Sequence, residues 1–302
     1  YMFFNVRLFI FLLFNKCDIL YANDLDTLLP NFIISKIKNK PLVYDSHELF
    51  TEVPELIEKK IVKSFWVFLE KKIFPKLSNV ITVSDSIANF YKKKYQIDSL
   101  IIKNVPYLKT NNSLVEKKYN IQGFNPNKKN IIYQGSLNKD RGISIMIDSM
   151  AHLNANLFIV GSGDFKKELL EYTIKKKLIN KIFFLGRVPF QQLKSITCEF
   201  DLGLSFEEDT CLAYRYSLPN KIFDYLHAEI PILASDLPEI SNLVINNKIG
   251  EVLSSRNPKQ IAIQIEYILK NKNLYNLNLK STKKKFCWEN QEKKIIELFN
   301  NL

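Results

Sequence analysis

The chain has 302 residues, 46% of them hydrophobic and 25% charged, and its formal net charge at pH 7 is +12. This length suffices for two domains with their own cores, and the composition is that of a globular protein. The basic excess favours anionic partners, namely nucleotides, nucleic acid or an anionic membrane surface.

The first segment, residues 1–14, is apolar and predicts a helix. It is too short to span a bilayer, and Asn5 and Arg7 interrupt it. The polar residues 15–18 follow it, where a signal peptide would carry small residues at a cleavage site. We interpret the segment as an internal helix of a chain whose true start lies upstream.

Short β-rich runs then alternate with helical patterns along the whole chain. The predicted strands are residues 18–22, 42–44, 80–83, 100–103, 131–134, 157–160, 182–185, 202–205, 230–234 and 250–253. Helical patterns lie between them, for example at 142–152, 165–177 and 258–269. This alternation predicts doubly wound parallel sheets, and the polar stretch 107–129 is the predicted domain boundary.

The glycines and cysteines add two further indications. All eight glycines fall at or after Gly123, and four of them end predicted strands, where a doubly wound sheet binds its ligand. The four cysteines form neither a C-x-x-C pair nor a zinc-site spacing with histidine, which excludes a disulfide scaffold. A reducing compartment, and hence a cytoplasmic location, is expected.

The segment 217–227 reads Ser-Leu-Pro-Asn-Lys-Ile-Phe-Asp-Tyr-Leu-His and predicts a helix with Pro219 as its first residue. Lys221 lies in the first turn, where a cation opposes the helix dipole and an anion is favoured. Asp224, one turn later, is suited to the hydroxyl groups of a ribose. The pattern predicts a nucleotide diphosphate site. The alternative is a surface ion pair between Lys221 and Asp224.

Several motifs resemble those of family 4 (group 1) glycosyltransferases, and they follow one another along the chain in the same order as in that family. The donor-site helix of that family resembles residues 217–235. The other similar segments are Tyr-Ala-Asn-Asp-Leu-Asp-Thr-Leu-Leu-Pro (21–30), Tyr-Asp-Ser-His-Glu (44–48), Val-Ile-Thr-Val-Ser-Asp (80–85), Tyr-Gln-Gly-Ser-Leu-Asn-Lys-Asp-Arg-Gly (133–142), Ile-Val-Gly-Ser-Gly-Asp (159–164) and Phe-Leu-Gly-Arg-Val (184–188).

The resemblance implies the GT-B fold, an α/β architecture in which two Rossmann-like, doubly wound parallel-sheet domains face a cleft, the first one incomplete here. Residues 1–110 would form a partial acceptor-side domain and residues 111–285 the nucleotide-sugar-binding domain. Residues 286–302 would form a C-terminal helix that returns to the first domain.

The resemblance also implies the donor-site residues. Arg141 and Lys221 would meet the diphosphate, Asp224 the ribose, and Arg187 with Val188 the base. The remaining expected donor-binding residues are Gly135, Ser136, Gly161, Gly163, Tyr216, Ser217, Leu218, Pro219 and Asn220.

Three positions depart from the family pattern. Tyr216 stands where the first Glu of the E-x7-E motif is expected, Ser136 replaces a common Arg, and Asn23 replaces a common His. Asn23 and Asp24, in the loop where the family has its His, and Arg141 and Lys221, at the diphosphate, are the predicted catalytic residues.

His47 and Glu48 follow a predicted strand and are expected to bind the acceptor, with loop packing as the alternative. The string Asp24-Leu25-Asp26 matches the metal-binding D-x-D pattern, but an N-cap role for Asp24 is simpler. No metal or cofactor is expected, because the helix dipole and Lys or Arg charges replace a metal at the leaving phosphates.

Residues 55–77 form a basic amphipathic stretch. It suits either an interfacial helix on an anionic membrane or a helix packed on the sheet with its lysines pointing outward. Nucleic-acid binding is not expected, because no recognisable motif accompanies the positive charge.

The predicted function is a retaining glycosyltransferase of the hexosyltransferase type. It would move a sugar from a nucleotide-sugar donor to a hydroxyl of a glycan or lipid-linked acceptor in polysaccharide or glycolipid synthesis, at the inner face of the plasma membrane. One alternative is a truncated, non-catalytic remnant that only binds nucleotide. The other is a GT-B nucleotide-sugar epimerase, which needs carboxylates that the sequence does not assign.

Overall fold

A computed structural model describes residues 2–108 and 121–302, and the chain divides into two compact units. The first unit comprises Tyr1–Asn104, Asp209–Leu218 and Gln291–Leu302, and the second comprises Val105–Glu208 and Pro219–Asn290. The divisions lie six residues before the predicted boundary at 110 and five after the one at 285. The assignment of Asp209–Leu218 to the first unit was not predicted. Residues 109–120 of the predicted boundary segment lie outside the described residues.

Each unit contains one parallel sheet. The strands are β1 (Leu20–Asn23), β2 (Leu42–Ser46), β3 (Asn79–Thr82), β4 (Leu100–Ile101), β5 (Lys129–Gln134), β6 (Ala155–Val160), β7 (Ile182–Gly186), β8 (Leu202–Ser205), β9 (Ile232–Ala234) and β10 (Gly250–Val252). The first sheet has the order β1-β2-β3-β4, and the second has the order β10-β9-β8-β5-β6-β7. All ten predicted strands are confirmed in the described chain, with ends shifted by at most two residues.

Helices connect these strands, as expected for parallel sheets. They are α1 (Met2–Phe14), α2 (Leu25–Lys38), α3 (Pro54–Ile57), α4 (Lys60–Ile73), α5 (Asp85–Tyr95), α6 (Ile143–Ser149), α7 (Lys166–Lys175), α8 (Phe190–Thr197), α9 (Leu212–Arg215), α10 (Asn220–His227), α11 (Pro238–Asn246), α12 (Pro258–Lys270), α13 (Asn276–Lys285) and α14 (Trp288–Asn300).

The strands read as continuous apolar runs because both faces of each sheet are covered. Every residue of β6 is buried, as is every residue of β8 and β9. In the first unit the core forms around Ala22, Tyr44 and Phe74. In both units the carboxyl ends of the strands lie at one edge of the sheet. The loops after β1, β2, β5, β6 and β7 carry predicted site residues, whereas residues 216–219 follow helix α9.

Helix α10 begins one residue later than predicted. Pro219 is the N-cap residue, with extended dihedral angles of φ −63° and ψ 136°, and Asn220 is the first helical residue. Extended dihedral angles are usual for an N-cap residue, and Lys221 in the first turn of the helix is buried.

Helices α1 and α4 carry exposed apolar side chains. None of the residues of α1 is buried, and no helix in the described ranges is both long and apolar enough to cross a bilayer. Helix α4 buries Trp66 and Leu69 while Phe65 and Phe68 are exposed. The packed-helix alternative for residues 55–77 therefore holds for one face of α4 only.

Candidate functional site

The centre of the candidate site in the second unit is an ion pair between Lys221 and Glu207. The ammonium group of Lys221, on the first turn of α10, contacts the Oε1 atom of Glu207, which follows β8. The other carboxylate oxygen, Oε2, accepts a hydrogen bond from Ser205 Oγ at 2.6 Å. Lys221 is only 8% exposed and Glu207 is not exposed at all. The alternative of a surface ion pair between Lys221 and Asp224 is therefore wrong.

The pair remains charged despite its burial. Burial works to raise the pKa of Glu207, but the charge and hydrogen bond of Lys221 and the hydroxyl of Ser205 hold that pKa below its usual value. Burial works to lower the pKa of Lys221, but the charge of Glu207 keeps it above its usual value. The lysine that opposes the helix dipole is thus stabilised by a protein carboxylate.

Arg141 approaches the same carboxylate from the loop after β5. Its Nη1 atom lies 4.0 Å from Glu207 Oε1. Gly142 follows with φ 66°, and a Cβ atom there would lie 2.1 Å from the carbonyl oxygen of Phe206. This glycine allows the β5 loop to lie directly against the segment after β8. One buried carboxylate therefore faces two cations, so these three side chains together carry one net positive charge.

Asp224 is held by a hydrogen bond from the end of β5. Gln134 Nε2 donates to Asp224 Oδ2 at 2.7 Å, and Gln134 Oε1 accepts a hydrogen bond from Thr197 Oγ1 at 3.0 Å. Thr197 thereby fixes which way the Gln134 amide points. Burial raises the pKa of Asp224 to about 6, and the hydrogen bond from Gln134 limits that rise.

The predicted donor-site glycines bring two loops together. A Cβ atom on Gly161 would lie 1.8 Å from the carbonyl oxygen of Gly135, and one on Gly163 would lie 2.5 Å from that of Leu137. Gly135 N–H donates to the carbonyl oxygen of Val160 at 3.0 Å. These glycines are needed for contact between the β5 and β6 loops, whether or not a nucleotide lies on top.

The other predicted donor residues of the second unit lie at its surface. Arg187 is exposed and donates from Nε to Ser162 Oγ at 2.5 Å, and Val188 beside it is half-buried. The backbone of Ser136 accepts a hydrogen bond from the hydroxyl of Tyr133 at 2.8 Å. Asn220 is exposed at the start of α10.

Tyr216, Ser217 and Leu218 belong to the first unit, although they precede α10 directly. The Tyr216 side chain packs against the core of that unit, and its carbonyl oxygen accepts a hydrogen bond from Ser84 Oγ at 3.1 Å. Ser217 Oγ donates to the carbonyl oxygen of Tyr214 at 2.8 Å. The Tyr216 side chain therefore contributes to the packing of the first unit's core.

Asp24 occupies the N-cap position of α2, but its side chain makes no capping hydrogen bond. The expected capping role is therefore wrong. Asp24 Oδ1 instead accepts a hydrogen bond from the backbone N–H of His47 at 3.0 Å. The backbone at Asp24 has φ 55° and ψ 170°, a conformation that costs a non-glycine residue about 1–3 kcal/mol. Asn23 beside it is exposed, and its carbonyl oxygen accepts from Thr27 Oγ1 at 2.6 Å.

His47 lies between two carboxylates at the ends of β1 and β2. Its Nε2 atom is 3.3 Å from Asp45 Oδ2, and its Nδ1 atom is 3.9 Å from Asp24 Oδ2. The hydroxyl of Tyr21 donates to the same Asp45 oxygen at 2.6 Å. Glu48 is exposed, and its carbonyl oxygen accepts from Ser46 Oγ at 2.9 Å.

Residues 2–108 and 121–302 contain no group of three or more His, Cys, Asp or Glu side chains arranged to hold a metal ion. That finding covers the D-x-D string at residues 24–26. The expectation of a metal-independent site stays a prediction.

The sequence profile of the group 1 glycosyl transferases matches residues 115–286, more than half of the chain. The protein belongs to this glycosyltransferase family. The matched range includes Glu207, Lys221 and Asp224, and the expected α/β fold with two Rossmann-like parallel-sheet domains is confirmed.

Relatives and solved structures agree with this assignment. An uncharacterised glycosyltransferase of Methanocaldococcus jannaschii is 24% identical over 249 residues, 76% of this chain and 55% of the relative. A chitobiosyldiphosphodolichol beta-mannosyltransferase of Candida albicans is 24% identical over 134 residues, 42% of this chain and 29% of the relative. The chain spans about half the length, or less, of the curated relatives it matches.

The Anabaena protein HepE, solved in complex with UDP and glucose, superposes with a TM-score of 0.75 at 18% identity. The superposition covers 94% of this glycosyltransferase and 78% of HepE. At this level of identity the likeness shows a common fold.

The sequence did not indicate which residues pair with the predicted site residues Lys221, Asp224 and His47. Glu207, Gln134 and Asp45 each contact a predicted site residue across the sheet edge. A charged or amide residue at the carboxyl end of an apolar strand was the available signal, and all three are at or within two residues of such an end.

Proposed function

We propose that this glycosyltransferase moves a sugar from a nucleotide-diphosphate-sugar to a hydroxyl group of a glycan or lipid-linked acceptor. The observation that carries the proposal is the cluster of Arg141, Lys221, Glu207 and Asp224 at the carboxyl ends of β5 and β8 and the start of α10. Arg141 and Lys221 together exceed the single charge of Glu207 and leave one positive charge for a diphosphate, and Asp224 offers a carboxylate for a ribose at the same sheet edge.

The roles proposed within this site follow from exposure. Arg141 is partly exposed, with 23% of its side chain accessible, and is the cation that meets the diphosphate directly. Lys221 is buried, so its charge acts on the diphosphate from a distance and its ion pair holds Glu207 in place. The start of α10 adds its dipole, so that the leaving phosphates are stabilised without a metal ion.

A uridine nucleotide is the donor to test first, because HepE was solved with UDP and glucose. The name of the Candida relative contains a dolichol diphosphate, which supports a lipid-linked acceptor for this chain as well. Retention of the anomeric configuration is proposed from the family resemblance. A same-face transfer needs no separate strong base, because the leaving phosphate takes the acceptor's proton.

The first experiment measures nucleotide binding by thermal shift with UDP, GDP, ADP and dTDP. A ligand at 100 times its Kd stabilises the protein by about 2.7 kcal/mol. Arg141→Met should abolish most of the shift, whereas Lys167→Met, on an exposed helix surface, should not. No shift with any of the four nucleotides contradicts the proposed donor site.

The second experiment measures transfer from the selected nucleotide-sugar, with and without EDTA, and determines the anomeric configuration of the product by NMR. Retained configuration and unchanged rates in EDTA support the proposal. Nucleotide binding without transfer or donor hydrolysis supports instead a non-catalytic nucleotide-binding protein, for which Tyr216 in place of the expected Glu is the motivating observation.

We also propose peripheral contact of the first unit with an anionic membrane through α4. The exposed side of α4 carries Ile61, Phe65 and Phe68 together with Lys60, Lys71 and Lys72. Apolar side chains flanked by lysines are the composition of an interfacial helix. Contact with the inner leaflet would bring a cytoplasmic enzyme to a lipid-linked acceptor.

A further inference from the structure

The two carboxylates beside His47 favour its positively charged form. A neutral imidazole has one N–H and one lone pair, so either tautomer directs a lone pair at Asp24 or at Asp45. The imidazolium form instead presents an N–H to each carboxylate. The hydrogen bond with Asp45 raises the pKa of His47, partial burial opposes this, and the charges of Asp45 and Asp24 add to it.

The other carboxylates near this cluster raise the pKa values of both His47 and Asp24. Glu48, on the same loop, also raises the pKa of His47. Burial raises the pKa of Asp24, His47 counteracts that rise, and Asp26 and Asp45 reinforce it. His47 is thus the group of this cluster that favours the ionised form of Asp24.

Two hydrogen bonds hold Asp24 in a strained backbone conformation. Its own N–H donates to the carbonyl oxygen of Asp45 at 2.8 Å, and its Oδ1 atom receives the His47 N–H. The side chain is 28% exposed at the carboxyl end of β1, and it does not cap α2. A strained, partly exposed residue whose side chain is fixed by the neighbouring strand's loop rather than by its own helix is typical of a functional position.

Tyr21 fixes the far end of the cluster. Its hydroxyl donates to Asp45, and its ring stacks on Phe299 of α14 with centroids 6.1 Å apart and an interplanar angle of 13°. Tyr21 and His47 therefore both hold Asp45 through its Oδ2 atom.

We propose that Asp24 accepts a hydrogen bond from the acceptor hydroxyl and that His47, Asp45 and Tyr21 are positioning residues that keep this carboxylate fixed and ionised. The inference rests on the proposed sugar transfer. Two carboxylates and one imidazolium give the cluster a net negative charge, and Glu48 adds to it. The acceptor group that binds here is therefore a neutral sugar or polyol hydroxyl rather than one beside a phosphate or carboxylate.

The charge network is tested without any activity measurement. The chain has only three histidines, so the Cε1–H resonance of His47 can be assigned with His47→Gln and its pKa followed by NMR. We expect a pKa above the usual value of about 6.5, lowered by Asp45→Asn and by Asp24→Asn and unchanged by the control Glu58→Gln. A His47 that titrates at or below the usual value, or that ignores Asp45→Asn, overturns the network.

The role of Asp24 is tested by acceptor kinetics. Asp24→Asn should lower kcat/KM for the acceptor on the order of 10- to 100-fold, as for a lost hydrogen bond to a charged group, with the Kd of UDP unchanged. His47→Gln should shift the rise of kcat/KM to higher pH, with activity recovering in alkaline buffer, because Asp24 loses its stabilising cation. A purely structural defect would lower activity at every pH.

The outcomes separate the two proposals. Wild-type activity in Asp24→Asn overturns this inference and leaves sugar transfer standing. Absence of transfer in the wild-type protein overturns the proposed function together with the acceptor role of Asp24, whatever the NMR titration shows.

Discussion

Lys221 and Glu207 form a buried ion pair that joins the start of α10 to the end of β8. A lysine in the first turn of a helix is locally unfavourable, and a carboxylate without solvent exposure is costly unless it is paired. The pair resolves both problems at once. Glu207 also lies 4.0 Å from Arg141, so its negative charge holds the guanidinium of the β5 loop near the segment after β8.

The first prediction concerns the stability of this pair. Lys221→Met and Glu207→Gln should each lower the free energy of unfolding by about 3–5 kcal/mol, because each leaves a buried group without its partner. The double variant should lose clearly less than the sum of the two. Denaturant unfolding measures all three variants.

A matched control is the exposed pair Lys270 and Glu266 of α12, 3.4 Å apart. The same substitutions there should change stability by less than about 1 kcal/mol. Additive effects at Lys221 and Glu207, or effects as small as those in α12, would contradict the buried pairing.

The second prediction concerns the pH dependence caused by Asp224. Its pKa of about 6 in the folded protein exceeds the usual value of 3.8, so the folded state binds this proton more tightly than the unfolded chain. The free energy of unfolding should therefore fall as pH rises from about 4 to about 6 and stay level above. Asp224→Asn should remove this contribution and raise stability at pH 7.5 by on the order of 2–3 kcal/mol.

Binding should respond to pH in the opposite sense. An ionised Asp224 accepts ribose hydroxyls better than a protonated one, so affinity for the nucleotide-sugar should drop below about pH 6. Calorimetric titration across this range measures the effect. A pH-independent affinity in the wild-type protein, equal to that of Asp224→Asn, would argue against the ribose contact.

The third prediction concerns Gln134 as the partner of Asp224. Gln134→Leu removes a hydrogen bond that counteracts the effect of burial, so the pKa of Asp224 should rise further. The midpoint of the pH dependence of nucleotide-sugar affinity should move upward with it. Thr197→Val, which leaves the Gln134 amide in place, should give a smaller shift in the same direction. No shift in either variant would show that Gln134 does not set this pKa.

The fourth prediction separates two glycines at strand ends. Gly161→Ala should lower the free energy of unfolding by roughly 2–4 kcal/mol, because its Cβ atom would collide with the Gly135 carbonyl oxygen. Gly186→Ala, with φ 71° and no atom within 4 Å of its Cβ position, should cost only the backbone strain of about 1–2 kcal/mol. Equal losses would show that loop contact is not what requires Gly161.

The fifth prediction concerns membrane contact through α4. The protein should cosediment with vesicles that contain phosphatidylglycerol and not with vesicles of phosphatidylcholine alone. Phe65→Ser with Phe68→Ser should reduce this binding at least tenfold. The control Ile263→Ser removes an even more exposed apolar side chain from α12 and should have no effect. Binding that persists in the α4 variant would place the contact elsewhere.

The sequence alone determined the order of strands and helices and the family. Apolar runs of four to six residues, glycines at their ends and the segment around Pro219 are local signals, because backbone preference and helix capping depend on near neighbours. These signals also placed Lys221 and Asp224 correctly at the start of α10.

Only the tertiary structure decided what those side chains contact. Lys221 meets Glu207 fourteen positions away, Asp224 meets Gln134 ninety positions away, and His47 meets Asp24 across two neighbouring strands. No local rule pairs such residues, because parallel strands bring their carboxyl ends together only after the sheet has formed. The physical reason is that burial and partner charge, which set the charge state of each site residue, are properties of the packed sheet edge and not of any segment.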